Sequence, residues 1–159
     1  MIRIGQSTDV HQLVSNRPLI IGGVNIPHDK GLLGHSDADV LLHAIAEAIL
    51  GALGLNDLGT HFKDNDEKTK GMSSLLILKK VYEMMDERNF MIGNVDSLVI
   101  IEKPHLRPYI EKMRENIANT LNTNINNINV KATCCEKMGF IGKEEGAVAQ
   151  AVVLLVSKE

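Results

Sequence analysis

The sequence predicts an α+β sandwich in which helices cover one face of a β-sheet. Three observations predict it. The element signals run strand-strand-helix-helix-strand-helix-strand-strand, an order with few parallel crossovers. With 159 residues, 44% of them hydrophobic, and a mean hydropathy of -0.02, the chain can bury a single respectable core and is expected to form one domain over residues 1–159. No internal repeat and no linker-like stretch interrupts it.

The elements follow in order. Residues 2–4 and 17–21 read as short strands, the second stopped by Gly22-Gly23. In "HSDADVLLHAIAEAILGALGL", Val40, Leu41, Ala44, Ile45, Ala48, Ile49, Ala52 and Leu53 recur at helical spacing. Ser36, with Asp39 three residues on, resembles a capping box. Residues 56–70, "NDLGTHFKDNDEKTK", are polar and aperiodic and read as a long loop of the kind that carries function. A second helix starts near Ser73 or Ser74 and carries Leu75, Leu78, Val81, Tyr82 and Met85. Residues 94–102 form a strand, and its run Leu98-Val99-Ile100-Ile101 predicts burial on both faces. Pro108 suits the first turn of a third helix, with Ile110, Met113, Ile117 and Leu121 along one side. The asparagine-rich "LNTNINNINV" is a connector, and residues 130–135 and 147–156 close the chain as strands.

Composition excludes several classes. A net charge of -3 and a pI near 6.1 leave no basic footprint, so neither nucleic acid nor an anionic membrane is expected as a partner. No apolar run approaches the ~20 residues of a membrane span. The stretch "MIRIGQSTDVHQL" has neither an apolar signal core nor transit-peptide composition, so a cytoplasmic location is expected. The two cysteines, Cys134 and Cys135, are adjacent. Their Cα atoms, about 3.8 Å apart across a trans peptide, fall short of the roughly 4.4–6.8 Å of an ordinary disulfide.

Four constellations carry candidate chemistry. In Asp9-x-His11, alternate strand residues point to one face, and His43 lies on the polar side of the first helix. One carboxylate and two imidazoles suit a zinc site with an open fourth position, although scattered histidines also produce this pattern. In "GHSDAD", Gly34 turns the chain into a helix whose free N–H groups favour an anion such as phosphate. His35 and Ser36 stand where they could donate to it; an ordinary helix cap is the plainer reading. The acidic loop offers Asp57, Asp64 and Asp66, with Phe62 among them, for hydroxyl groups or a hard cation, or simply for solvent. The fourth is Thr133-Cys134-Cys135-Glu136, followed by Gly139-Phe140-x-Gly142-Lys143. The thiols lack the second Cys/His pair of a structural zinc site, and taken alone they read as small strand residues.

Together, "RIGQSTDVH", "IIGGVNIP", "KGLLGHSDADVLLHA", "LGLNDLGTHFKDND", "GNVDSLVIIEKP" and "NVKATCCEKMGF" resemble one family closely, the 2-C-methyl-D-erythritol 2,4-cyclodiphosphate synthases of the non-mevalonate isoprenoid pathway. The resemblance runs from Arg3 to Val156 and implies a homotrimer of ferredoxin-like subunits, with active sites between neighbours. It implies conversion of 4-diphosphocytidyl-2-C-methyl-D-erythritol 2-phosphate to the cyclic diphosphate plus CMP. The 2-phosphate attacks the β-phosphorus, so no covalent enzyme intermediate is required. By family position, zinc sits on Asp9, His11 and His43, and a second divalent cation, magnesium or manganese, sits near Glu136. His35 hydrogen-bonds the phosphates in the transition state, supported by Ser36. Asp57, Leu58 and Gly59, with Phe62, Asp64 and Asp66, hold the methylerythritol unit. Ile101, Pro104, His105, Leu106 and Arg107 line the cytidine pocket, and Thr133, Cys134, Cys135 and Glu136 bind phosphate beside a subunit boundary.

The chain also departs from the family. Thr-Thr-Thr-Glu is usual where it reads Thr133-Cys134-Cys135-Glu136, which places Cys134 at the second transition-state-stabilising position. A thiol donates more weakly than a hydroxyl, predicting weaker phosphate stabilisation or greater reliance on backbone N–H groups. Lys143 stands where arginine is frequent, at an axial cavity in which the family holds isoprenoid diphosphates, and lysine loses the bidentate fork; the resemblance also counts Phe140 and Lys143 among the substrate-binding residues. Lys63 replaces a usual proline. Two rivals remain: a weakened trimer that binds zinc and isoprenoid diphosphate, and a zinc phosphodiesterase.

Overall fold

The strand that carries Asp9 and His11 is far longer than its hydrophobic pattern suggests. In the computed structural model, which describes residues 1–159, β1 spans Ile2–Ser15. The face of β1 that carries Gly5, Ser7, Asp9 and His11 holds almost no hydrophobic side chain, so period-2 hydrophobicity is absent there. What defines the strand is its antiparallel ladder to β7 (Gly146–Ser157), from Ile2–Val156 to Gln12–Gly146.

A small hairpin, β2 (Leu19–Ile21) and β3 (Val24–Ile26), and the edge strand β4 (Lys30–Leu32) follow. Then come α1 (Val40–Leu53), the one-turn α2 (Leu58–His61) and α3 (Ser74–Glu87). The chain continues through β5 (Phe90–Ile100), a 3₁₀ turn at Arg107–Tyr109, α4 (Ile110–Thr120), β6 (Ile128–Thr133) and the short α5 (Gly139–Gly142) before β7. The main sheet has the order β4-β1-β7-β5-β6. It is mixed: β5 and β6 run parallel, joined through α4, and the other pairs are antiparallel. This is the expected α+β class.

Details depart from the sequence expectation for physical reasons. The N-cap of α1 is Asp39, not Ser36; its carboxylate accepts from Leu42 N–H, and Gly54 in the left-handed region closes the helix. β5 is buried on one face only, because Val95, Ser97 and Val99 face the helices while Leu98 and Ile100 lie half-buried on the other side. β6 ends at Thr133, so the two cysteines fall in the turn beyond it. The polar loop contains α2, initiated by Asp57.

The core is one cluster in which α1 packs on β1, β7 and β5, flanked by α3 and α4. The closest approach is at Gly5, where a Cβ would lie 1.8 Å from the Ala48 carbonyl oxygen, so only glycine fits. That contact sets the height of α1 above β1. Successive same-face residues then meet the helix in reverse order: Gly5 at Ala48, Ser7 at Glu47, Asp9 at His43. No helix is long and apolar enough to cross a membrane.

Candidate active site

β1 and α1 together bring three ligand atoms to one point. Asp9 Oδ2 lies 2.9 Å from His11 Nε2 and 3.3 Å from His43 Nδ1, and the two imidazole nitrogens are 3.3 Å apart. A tetrahedral ion with bonds near 2.0–2.1 Å spaces its ligands by roughly 3.3 Å, so this triangle has the dimensions of one face of such a site. Asp9 Oδ2 is buried and makes no hydrogen bond of acceptable geometry. A buried carboxylate oxygen without a donor fits a cation at the centre. Of the His, Cys, Asp and Glu side chains, this is the group close enough to hold a metal ion. Burial alone would raise the Asp9 carboxyl, but the close approach and charge of the His11 and His43 rings hold it below its ordinary range. Burial lowers His11, and Asp9 more than reverses it.

The rings are oriented from behind. His11 Nδ1 lies 2.8 Å from the Leu33 carbonyl oxygen, so it carries the proton and leaves Nε2 free as a ligand atom. His43 Nε2 lies 2.8 Å from Ser74 Oγ and 3.2 Å from Ser36 Oγ. Arg17 braces the same loop, donating to the carbonyls of Leu32, Gly34 and Ser36.

Around the triad is a pocket of about 240 Å³ lined also by His35, Ser36, Glu47, Leu58, Gly59, Phe62 and Asp64. His35 Nε2 sits 3.1 Å from the Asp66 carbonyl, and its own carbonyl accepts from Gly71, fastening it to the acidic loop. His35 and Ser36 precede the first turn of α1 instead of occupying it. Asp39 takes the helix terminus, accepting from Leu42 with Oδ1 and from Gly22 and Gly23 with the two oxygens. The expected anion seat at that helix end is thus filled by the chain's own carboxylate. Of the loop aspartates only Asp64 lines the pocket. Asp57 caps α2, accepting from Thr60 Oγ1 and from Thr60 N–H, and the hydroxyl bond first and the backbone bond second lower its pKa; Asp66 Oδ1 accepts from Lys68 N–H.

A second, larger cleft of about 920 Å³ lies at the carboxyl ends of the parallel strands β5 and β6, where crossover units commonly bind ligands. It is lined by Ile101, Pro104, His105, Leu106, Arg107, Thr133 and Cys134, all singled out from the sequence, with Glu102 and Lys131 added. Cys135, Glu136, Phe140 and Lys143 line neither pocket. Glu136 and Lys137 have positive φ (51° and 65°), and Glu102 holds their turn, accepting from Cys135 and Lys137 N–H at 3.0 Å each. The two pockets share no lining residue. Asp9 is level with Ala149, Val99 and Ala132 across the sheet, so three strand spacings, roughly 14 Å, separate them.

A family model described as the YgbB family matches residues 2–156. The chain belongs to the YgbB family. It is 58% identical over 158 residues to the 2-C-methyl-D-erythritol 2,4-cyclodiphosphate synthase of Geobacillus sp. (strain WCH70), covering 99% of this chain and 100% of that one. Its identity to the synthase of the same name from Desulfitobacterium hafniense (strain DSM 10664 / DCB-2) is 53% over 156 residues, covering 98% and 99%. Among solved structures it is similar to a CDP complex of IspF from Plasmodium falciparum, with a TM-score of 0.88 and 35% identity, covering 99% of this chain and 97% of that one. It also matches the bifunctional IspDF of Campylobacter jejuni, with a TM-score of 0.96 and 42% identity, covering all of this chain (100%) and 43% of that one.

Sequence reading missed Asp37, Ser74, Glu47, Arg17 and Glu102. Glu47 had a signal, being one helical turn after His43 on the same face. It accepts from Ser7 Oγ at 2.5 Å and from Leu58 N–H at 3.1 Å, tying β1 to the start of α2.

Proposed function

We propose that this YgbB-family chain is a cyclodiphosphate synthase that closes 4-diphosphocytidyl-2-C-methyl-D-erythritol 2-phosphate to 2-C-methyl-D-erythritol 2,4-cyclodiphosphate and releases CMP. The observation that carries the reading is the 58% identity to the Geobacillus synthase over 158 residues. Nucleophile and electrophile belong to one molecule, so the work of the chain is to fold the substrate and neutralise crowded phosphates. Asp9, His11 and His43 would hold zinc, which when bound supplies Lewis acidity beside the diphosphate. His35 and Ser36 donate hydrogen bonds to the phosphates from the pocket rim. Leu58, Gly59, Phe62 and Asp64 enclose the methylerythritol unit and exclude water. The cleft of Ile101–Arg107 and Thr133–Cys134 takes the cytidine end, and Glu136 would stand near a magnesium or manganese ion, which when bound would supply positive charge against the phosphates.

The two pockets lie apart within one chain, which favours a site completed by a second copy. The sheet face turned away from the helices supports this: Ile4, Val10 and Val152 are 69%, 53% and 51% exposed there, with Leu98, Ile100 and Leu154 half-buried beside them. A homotrimer of ferredoxin-like sandwiches covers that face. Sedimentation should then give three times the 17.5 kDa of the chain.

The decisive assay follows phosphorus NMR after incubation with substrate and Mg²⁺. Cyclic diphosphate plus CMP supports the synthase, and open-chain phosphates support hydrolysis instead. No turnover with intact zinc binding supports a binding protein.

A further inference from the structure

We propose that Ser74, anchored by Asp37, is a positioning residue that fixes the tautomer of His43 and thereby sets the metal affinity of the Asp9–His11–His43 cluster. The inference rests on the metal reading above and concerns residues outside the triad. Ser74 is fully buried in the first turn of α3, with its Oγ 2.8 Å from His43 Nε2. Its hydroxyl also makes a very short contact with Asp37 Oδ1, and its backbone N–H donates to Asp37 Oδ2 at 3.0 Å.

The hydrogen count decides the direction. A carboxylate only accepts, so the single Ser74 hydroxyl hydrogen goes to Asp37. Ser74 Oγ therefore faces His43 as an acceptor, and the ring nitrogen that matches it is Nε2–H. That leaves the lone pair on Nδ1, the atom turned toward Asp9 and His11. Ser36 Oγ, 3.2 Å from the same nitrogen, accepts from Ala38 N–H and keeps its own hydrogen uncommitted, so it tolerates either tautomer. Ser74 breaks the tie.

The backbone aims Asp37 at this task. Asp37 N–H donates to Met72 O, and Ala38 adopts φ 57°, a left-handed conformation unusual for a residue with a Cβ. That reversal turns Asp37 toward α3 and Asp39 toward Gly22 and Gly23. The result is a line from Asp37 through Ser74 to His43 that docks the N-terminus of α3 onto the metal cluster.

The test uses the full chain and zinc alone. Chelator competition should give Ser74→Ala a zinc affinity 10–100-fold weaker than wild type, while Ser74→Thr, which restores the hydroxyl, stays within about threefold. In the metal-free protein, ¹⁵N shifts of His43 should report the Nε2–H form in wild type and Ser74→Thr, and a mixture or the Nδ1–H form in Ser74→Ala. Should Ser74→Ala fail to fold, Asp37→Asn serves instead, with at least a tenfold weaker affinity expected. Equal zinc affinity in these variants, or an Nδ1–H tautomer in wild type, overturns the proposal. A wild-type chain that binds no zinc overturns the metal reading, and this inference with it.

Discussion

The two pockets are built by opposite means. Around the triad, side chains on long regular elements converge, and each ring is held from behind by a partner: His11 by the Leu33 carbonyl, His43 by Ser74. At the far cleft, residues of the connection between β5 and α4 line one wall and the turn after β6 hangs on one carboxylate, Glu102. Non-glycine residues at positive φ lie beside each, Ala38 in the turn before α1 and Glu136 and Lys137 in the turn after β6. Ala38 is fully buried, whereas Glu136 and Lys137 are exposed. The comparison separates a small site whose side chains converge on one point with the spacing to hold an ion from a larger cleft whose adjoining turn depends on a single carboxylate.

The strongest way to break the comparison is to remove one corner of the triad. His43→Ala should release zinc and lower kcat by at least about 10³, since an ion at developing phosphate charge is worth several kcal/mol. Metal analysis and steady-state kinetics on one preparation check both halves. Full activity in this variant refutes the ligand assignment.

A smaller effect probes the buried framework behind the triad. Burial raises the Asp39 carboxyl to about 6, against the donated hydrogen bonds of Gly23, Leu42 and Gly22. An acid whose folded pKa lies above its unfolded value binds more protons in the folded state between the two. Its contribution to stability is therefore greatest below about pH 4, falls as pH rises to about 6, and is then constant. The swing is about 3 kcal/mol. Urea midpoints of wild type and Asp39→Asn from pH 4 to 7 should show the wild-type advantage shrinking over that window. A constant difference would show that Asp39 ionises normally.

At the other site, Glu102→Ala should loosen the turn while leaving the triad alone. Two charge-assisted bonds to backbone N–H groups are lost. The expected result is a 10–100-fold fall in kcat/KM with zinc affinity unchanged. A parallel loss of zinc would mean that the two sites are coupled within one chain.

The same contrast explains what the sequence made legible. Asp9 and His11 are two positions apart and His43 rides a strongly periodic helix, so spacing offers them as one candidate group, and the family resemblance singles them out as zinc ligands. The α+β class followed from element order for similar reasons. Ser74 and Asp37 could not be paired, because 37 residues separate them and no local pattern records which helix N-terminus meets which loop. β1 is mostly hidden in the sequence, since apart from Leu13 the side chains on its inward face are polar or absent and the strand is defined chiefly by its ladder to β7. The end of β6 was misplaced because Cys134 and Cys135 fit a strand locally. Glu102, a residue distant in sequence, instead draws their backbone into a turn.

The finest test concerns Cys134, exposed at the rim of the larger cleft with its Sγ 3.7 Å from Glu136 Oε1. Weak phosphate stabilisation by a thiol could in principle be offset by backbone donors of the same turn. The Cys135 and Lys137 N–H groups are already engaged by Glu102, so they are poorly placed to take over. The hydroxyl in Cys134→Thr is a stronger donor within reach of the same ligand. A neutral hydrogen bond contributes about 0.5–1.5 kcal/mol, so kcat should lie between unchanged and about tenfold higher. KM and zinc affinity should stay as they are, because the triad is three strands away. An increase locates the deficit at the side chain and leaves the metal pocket untouched, as the contrast between the two sites requires. A large loss would instead give the thiol a role of its own in the turnover of this chain.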